Sequence, residues 1–235
     1  MKKIIHHADE RGKGDYGWLK TRYSFSFARY YDPERMGFGA LRVLNDDRIA
    51  PGAGFDTHPH DNMEIITVPL SGSLRHSDSS GEGGVLTSGE VQAMSAGSGI
   101  YHSESNASED DWLTLLQIWI QPARRNVDPR YAQKKFPADE RQNLFQTLAS
   151  PNPDDDALLI NQNAWVRRAS IDAGKSLTYE IRAEENGAYM FVISGDCEIA
   201  GEKLSDRDAI GISEAREFTI KAGSDCDIIV FDVPM

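Results

Sequence analysis

The sequence predicts an all-β fold made of two β-barrel or β-sandwich units packed together. Short runs rich in Val, Ile, Phe and Tyr recur between turns rich in Gly, Asp, Asn, Ser and Pro, with the regular spacing typical of such folds. In FTIKA, residues 218–222, the apolar positions alternate, as in a strand buried on one face. A weak repeat points to two copies of one unit: IITVPLSGSL (65–74) resembles AYMFVISGDC (188–197), and LTSGEVQAMS (86–95) resembles LSDRDAIGIS (204–213). Chance similarity between short β segments is the alternative explanation.

The repeat divides the chain into two domains and a connection. We expect an N-terminal domain over residues 1–132, a connecting segment over 133–157, and a C-terminal domain over 158–235. The region around the connection is rich in proline and charge. Within it, DERQNLFQTLA (139–149) is the best helical pattern in the chain and predicts one short helix.

Composition excludes several classes of function. The 235 residues are 40% apolar and 26% charged, which is typical of a globular protein with a core. A net charge of −12 argues against direct binding of nucleic acid or of an anionic membrane surface. No apolar run approaches the roughly 18 residues of a membrane span, and the N-terminal segment lacks the apolar stretch of a signal peptide. The two cysteines, Cys197 and Cys226, fit a reducing cytoplasm as buried thiols, although a disulfide between them stays open.

Two of the six histidines flank a proline in the stretch GAGFDTHPHDNMEII, residues 52–66. In a strand, His58 and His60 would face the same side, about 6.5–7 Å apart at Cα, so both imidazoles could bind one ion. Pro59 between them indicates a strand edge or a bulge. By itself the pair is weak, because histidine pairs on surface loops are common.

A second pair strengthens the metal hypothesis. In SAGSGIYHSESN, residues 95–106, His102 and Glu104 are again two residues apart. Three neutral imidazoles and one carboxylate would leave two positions of an octahedron open, as in the histidine–carboxylate sites of non-haem iron oxygenases. The same donors accept Fe, Zn, Cu, Ni or Mn. The alternative is a polar hairpin end with ordinary surface residues.

The repeat offers an internal control for this site. Carried into the second copy, the two histidines of the first pair fall on Ile181 and Ala183, and the second pair falls on Ile220 and Ala222. No histidine follows His102 in the chain. We therefore expect the C-terminal domain to lack metal ligands and to fill the same space with apolar side chains.

These segments resemble the two motifs of the cupins and, more closely, those of the pirin family. The stretches are YSFSFARYYDPERMGFGALRVLNDD, THPHDNMEII, MSAGSGIYHSE and LQIWIQP, and the resemblance is specific from about residue 16 to residue 133. It implies two cupin-type, jelly-roll-like β domains, a bicupin. It also implies that one iron is bound as Fe(II) by the residues that match the family's motif, namely His58, His60, His102 and Glu104.

Other polar residues receive minor roles. We interpret Glu64 as an acid at the edge of the core or behind the ligands rather than as a ligand, because an ideal strand places it about 13 Å beyond His60. His76 and Asp78 are expected at a solvated strand end, and His6 and His7 in a polar N-terminal segment. Four apolar residues are candidates for the walls of a pocket or for core packing: Met63, Met94, Phe55 and Trp119.

The resemblance implies an oxygenase. Some bacterial pirins are similar to quercetin 2,3-dioxygenases, which open a flavonol ring with O₂, so we expect a small aromatic substrate, with Glu104 as ligand or proton acceptor. The alternative is a non-catalytic, redox-sensitive iron protein that regulates a protein partner, as described for eukaryotic pirins. We expect a cytoplasmic monomer in either case.

Overall fold

The computed structural model describes all 235 residues and contains twenty-two strands, two short 3-10 helices and no α-helix. The strands of the N-terminal module are β2 Gly12–Asp15, β3 Leu19–Tyr23, β4 Leu41–Ile49, β5 Gly54–His60, β6 Glu64–Ser71, β7 Ser73–Asp78, β8 Gly83–Thr87, β9 Glu90–Ser95, β10 Ile100–Asn106, β11 Leu113–Ile120 and β12 Arg130–Lys135. The strands of the C-terminal module are β1 Lys2–His6, β13 Gln146–Ser150, β14 Leu158–Leu159, β15 Trp165–Ile171, β16 Ser176–Glu180, β17 Asn186–Ser194, β18 Cys197–Ile199, β19 Glu202–Leu204, β20 Ala209–Ser213, β21 Glu217–Ala222 and β22 Cys226–Pro234.

Each module is a pair of facing sheets with the same strand order. The N-terminal sheets run β12-β9-β6-β11-β4-β3-β2 and β5-β10-β7-β8. The C-terminal sheets run β1-β20-β17-β22-β15-β13-β14 and β16-β21-β18-β19. The eight consecutive strands β4–β11 therefore have the eight consecutive strands β15–β22 as counterparts, each at the same place in its sheet. This confirms the all-β, two-module prediction and gives the sequence repeat a structural basis.

Strand pairing changes one detail of the expected correspondence. The sequence repeat aligns Leu74 with Cys197, and these residues pair with Asn106 and Ala222. Ala222 therefore corresponds to Asn106, and His102 and Glu104 fall on Phe218 and Ile220, two residues before the positions expected from the sequence. His58 pairs with His102 as Tyr179 pairs with Phe218, so Tyr179 rather than Ile181 is the counterpart of His58. All three counterparts are buried, and none is a histidine or an acid.

The modules pack through their seven-stranded sheets. One apolar cluster contains side chains from both sheets, among them Leu44 and Ile118 from the first module and Phe191 and Phe231 from the second. Burying each such side chain contributes about 1.5–3 kcal/mol. The interface is therefore a continuous core, which leaves the interior of each module, between its own two sheets, as a separate space.

The helix expected at 139–149 does not form. A 3-10 turn covers Ala138–Arg141, and β13 follows as an extended strand that pairs antiparallel with β15. Leu148 and Ala149 are both buried in the core between the modules. The short apolar run fits both periodicities, and pairing with a neighbouring strand decides between them.

The first strand, β1, does not join the sheets of the module that follows it. It pairs antiparallel with β20, from Lys2 opposite Ser213 to His6 opposite Ala209. His6 is buried with its Nδ1 2.8 Å from the Tyr189 hydroxyl, so the expectation of a polar segment is wrong for this residue. The division at residues 132 and 157 stays a prediction. No helix of the chain has the length and apolarity needed to cross a membrane.

Candidate metal centre

The two histidine segments are neighbouring strands of the small N-terminal sheet. β5 is the edge strand, so Pro59 removes no hydrogen bond that a second neighbour would need. β5 and β10 can approach closely at Gly54 because glycine has no side chain. A Cβ at this position would overlap the backbone of Glu104. The register shifts between His102 and Glu104. This pairing places His58 directly beside His102.

The imidazoles of His58, His60 and His102 converge. One ring nitrogen from each lies within 4.8 Å of the other two, and the Nε2 atoms of His58 and His102 are 3.0 Å apart. His58 Nδ1 lies 2.7 Å from the carbonyl oxygen of Asp56. Nδ1 therefore carries the hydrogen and donates it, which leaves the Nε2 lone pair directed at the other rings.

Burial keeps two of these rings neutral. Burial, together with the neighbouring His58, lowers the pKa of His60 to about 4. Burial also lowers the pKa of His102 to about 4, against the opposing effect of Glu104. Near pH 7 both rings therefore present lone pairs. Two imidazole nitrogens at 3.0 Å need a shared proton or a cation between them, so the donor set fits a divalent transition metal.

Glu104 belongs to a second, overlapping cluster. Its carboxylate lies within 4.8 Å of the ligand nitrogens of His76 and His102. Gln92 Nε2 donates to Oε1 at 2.6 Å and Gln117 Nε2 donates to Oε2 at 2.9 Å, while the hydroxyl of Thr67 lies 3.3 Å from Oε1. Burial favours the protonated acid, but His76, His102 and Gln92 together hold its pKa below the ordinary value. Glu104 is therefore a buried, ionised carboxylate at the inner side of the three imidazoles.

His76 and Asp78 are also buried, so the expectation of a solvated strand end is wrong. His76 Nε2 is 3.2 Å from Asp78 Oδ2, and neither side chain is exposed. His76 Nδ1 points towards Glu104 at 3.9 Å, and its ring stacks on Tyr131 at 4.4 Å. The alternation of SLRHSD already puts Leu74, His76 and Asp78 on one face, which was the available signal.

Glu64 lies elsewhere. It accepts a hydrogen bond from Ser95 Oγ at 2.7 Å and another from Asn161 Nδ2 of the second module at 3.2 Å. Burial raises its pKa. It is in neither ligand cluster, which agrees with its interpretation as an acid at the edge of the core.

A cavity of about 290 Å³ opens onto the imidazoles. Its walls combine aromatic rings with polar side chains: Phe27, Asn45, Asp47, Phe55, His58, His60, Glu104, Gln117 and Trp119. Two of the four apolar candidates, Phe55 and Trp119, line it, whereas Met63 and Met94 pack in a small cluster beside Trp119. The polar lining on β4 and β11 was missed, because Gln117 sits singly among apolar residues, whereas Asn45 and Asp47 belong to the polar run NDDR (45–48), which has the composition of a loop.

Two facing-sheet β modules, one of which holds a histidine–carboxylate cluster, define a bicupin with a candidate metal site. Comparison with known families gives the same class in finer detail. Residues 5–120 match the family described as Pirin, and residues 147–233 match the "Quercetinase C-terminal cupin domain". The chain belongs to the pirin family.

Individual relatives cover nearly the whole chain. It is 44% identical over 225 residues to a pirin-like protein of Caulobacter vibrioides, covering 95% of this chain and 96% of that one. It is 41% identical over 230 residues to quercetin 2,3-dioxygenase of Escherichia coli, covering 98% of each. The crystal structure of the bacterial pirin YhhW from Escherichia coli, in complex with nickel(II), matches with a TM-score of 0.94 and 41% identity over 99% of both chains.

Proposed function

We propose that this pirin is a metal-dependent dioxygenase that cleaves a flavonol, such as quercetin, with O₂. The observation that carries the proposal is the group of three convergent imidazoles at the wall of an aromatic-lined cavity, with an ionised carboxylate beside them. Relatives named quercetin 2,3-dioxygenase at 41–43% identity support the reaction class. The native substrate could differ from quercetin while keeping an enol or phenol next to a carbonyl.

His58, His60 and His102 would hold the metal through their ring nitrogens, with Glu104 as the fourth candidate ligand. The nickel complex of the related YhhW shows that a divalent ion is compatible with that protein, and Fe(II) is our proposal for this chain. A bound divalent metal would supply a Lewis acid that lowers the pKa of the substrate hydroxyl. Oxidation of the flavonol also needs O₂ as co-substrate.

Glu104 is the residue that would accept the hydroxyl proton. It lines the cavity, and its pKa is held low, so it is an acceptor at neutral pH. The amides of Gln92 and Gln117 fix the two carboxylate oxygens by donating one hydrogen bond to each. A proton acceptor that is held in one orientation loses no binding energy to reorientation during the reaction.

Phe27, Phe55 and Trp119 would bind the flat substrate. Phe27 and Trp119 meet edge to face at 5.3 Å, and the Trp119 ring also contacts His60 at 4.9 Å. An aromatic wall that adjoins a ligand histidine can orient a planar ring towards the metal and exclude water around it.

The test is loading with Fe(II) under anaerobic conditions, followed by addition of quercetin and O₂. We expect loss of flavonol absorbance with matching O₂ uptake. His58→Ala and His102→Ala should lose both bound metal and turnover. His7→Ala, at an exposed histidine outside the clusters, should keep both.

Two results would contradict the proposal. Metal content that survives both substitutions would reject the ligand set. Iron-loaded protein that turns over none of several flavonols would reject the reaction. The regulator acting through a protein partner, the cytoplasmic location and the monomeric state stay predictions from the sequence.

A further inference from the structure

Three buried polar atoms that line the cavity have no hydrogen-bond partner. They are Asn45 Oδ1, Asp47 Oδ1 and Trp119 Nε1. Asn45 is 4% exposed and Asp47 is 5% exposed. More than nine in ten buried polar groups in proteins are paired, because an unpaired one costs about 1–3 kcal/mol. Three in one cavity therefore indicate groups kept for a ligand.

The two acceptors are placed by strand geometry. Asn45 and Asp47 are two residues apart on β4, so both side chains face the module interior, about 6.5–7 Å apart at Cα. Thr21 lies opposite Asp47 on β3, but its buried hydroxyl and Asp47 Oδ1 are both without a partner in hydrogen-bond geometry. Gln117, opposite Asn45 on β11, is already engaged with Glu104 and with Thr67. Neither acceptor belongs to a ligand cluster, so the metal centre does not account for them.

The other residues that line the cavity indicate which class of ligand would supply hydrogen-bond donors to these two acceptors. Phe27, Phe55 and Trp119 are aromatic walls suited to a planar ring, and no lysine or arginine lines the space. An anionic ligand would therefore find no cationic side chain there. A flat, neutral ring system with hydroxyl groups on its periphery provides both the stacking surface and the hydrogen-bond donors.

We propose that Asn45 and Asp47 form a hydroxyl-recognition subsite, which accepts hydrogen bonds from ring hydroxyls of the substrate other than the one that faces the imidazoles. The inference rests on the proposed function for the substrate class, and it concerns specificity rather than the chemical step. Under it, the cavity selects polyhydroxylated planar aromatics over analogues that carry only the metal-facing hydroxyl.

The test compares quercetin, which has ring hydroxyls beyond its 3-hydroxyl, with 3-hydroxyflavone, which has none. Dissociation constants are measured from flavonol absorbance shifts without O₂, on metal-loaded and metal-free protein, so that no turnover is required. The wild-type chain should prefer quercetin by about tenfold or more, which is the discrimination expected of one to two hydrogen bonds.

Asn45→Leu and Asp47→Leu remove the acceptors at nearly constant volume. Each should weaken quercetin binding several-fold and change 3-hydroxyflavone binding much less, so that the preference shrinks towards one. An unchanged preference in both variants would overturn the subsite. If the leucine substitution prevents folding, Asp47→Ser withdraws the acceptor from the ring hydroxyl and should weaken quercetin binding in the same way, and Asp110→Ser is its control on an exposed loop.

The outcomes separate this inference from the proposed function. Loss of preference in the variants, together with no turnover in air, would keep the subsite and reject the dioxygenase. Normal turnover together with an unchanged preference for quercetin in the variants would keep the dioxygenase and reject the subsite.

Discussion

The interiors of the two modules are built on the same strands and filled in opposite ways. Between the sheets of the C-terminal module lies one continuous cluster of 17 buried apolar residues. Between the sheets of the N-terminal module the apolar residues form two separate clusters, of six and four residues. Polar side chains on the strands between these clusters contact Glu104.

Strand pairing relates the two interiors residue by residue. In the first module Thr67 pairs with both Gln92 and Gln117, and in the second Met190 pairs with both Ile210 and Val230. The carboxylate and its three contacts are Glu104, Thr67, Gln92 and Gln117, and their counterparts are Ile220, Met190, Ile210 and Val230. A buried charge is tolerated only with hydrogen-bond donors around it. The comparison teaches that the polar residues accompany the carboxylate: where it is absent, they are absent too.

The largest expected effect comes from breaking this set in two ways. Glu104→Ile leaves the amides of Gln92 and Gln117 buried without an acceptor, and we expect the metal-free protein to lose about 3–5 kcal/mol of unfolding free energy. A fourfold variant that copies the second module, Glu104→Ile with Thr67→Met, Gln92→Ile and Gln117→Val, should recover most of that loss. Urea unfolding measures both. A fourfold variant no more stable than the single one would show that the polar set has another purpose.

A somewhat smaller loss of stability is expected at acid pH, when His6, which contacts Phe25 and Tyr189, becomes protonated. Burial lowers the pKa of His6 from the ordinary 6.5 to about 4. The unfolded chain therefore binds this proton first, so the contribution of neutral His6 to stability is complete above pH 6.5 and is lost as the pH falls towards 4. At about 1.4 kcal/mol per pKa unit, the loss is up to about 3 kcal/mol.

His6→Gln, which keeps a partner for Tyr189, should flatten the pH dependence of unfolding between those limits. The measurement uses chelator-treated protein, so that metal binding does not contribute. His7→Gln makes the same chemical change at an exposed position and serves as the control. An equal slope in the His6 variant and the wild type would reject the buried neutral state of His6.

A tenfold effect on metal affinity is expected at His76. It lies between Asp78 and Glu104, and the residue at the matching place on β18 is Ile199, which pairs with Ile220 as His76 pairs with Glu104. His76→Phe can keep the stacking on Tyr131 but removes the link to Glu104. Groups that orient metal ligands typically contribute 10–100-fold to affinity, so we expect at least about a tenfold loss. Competition with a chromophoric chelator measures it, and an unchanged affinity would limit His76 to packing.

The smallest effect is expected at the other buried glutamate of the module. Glu64 contacts Ser95 and Asn161 and lies in neither cluster. Because burial favours its neutral form, Glu64→Gln is a close substitute, and metal affinity should change less than about twofold, below the range for groups that orient ligands. A loss as large as that of the His76 variant would make Glu64 part of the metal site.

The fold was largely predictable, because strand alternation and turn residues are local signals. The repeat between 65–74 and 188–197 reflects β6 and β17, which occupy equivalent places in their sheets. The failures are non-local. The segment Gln146–Ser150 is extended because β15 is beside it, and β1 is separated from its partner β20 by most of the chain.

The candidate site was predictable where chemistry-bearing residues are rare and spaced by two, as in the pairs His58/His60 and His102/Glu104. His76 followed the same alternation but was given too little weight. Gln92 and Gln117 could not be found, because an isolated amide in an apolar strand has the same pattern whether it faces solvent or a carboxylate. Their role depends on which strands become neighbours.

The position of β1 has a consequence for the order of events during synthesis. β1 is made roughly 200 residues before its partner Ala209–Ser213. At 5–20 residues per second, this strand remains unpaired for roughly 10–40 s while the module that follows it can already fold. Throughout that interval one edge of the C-terminal sheet is incomplete, so β1 and β20 pair only after the N-terminal module has had time to form.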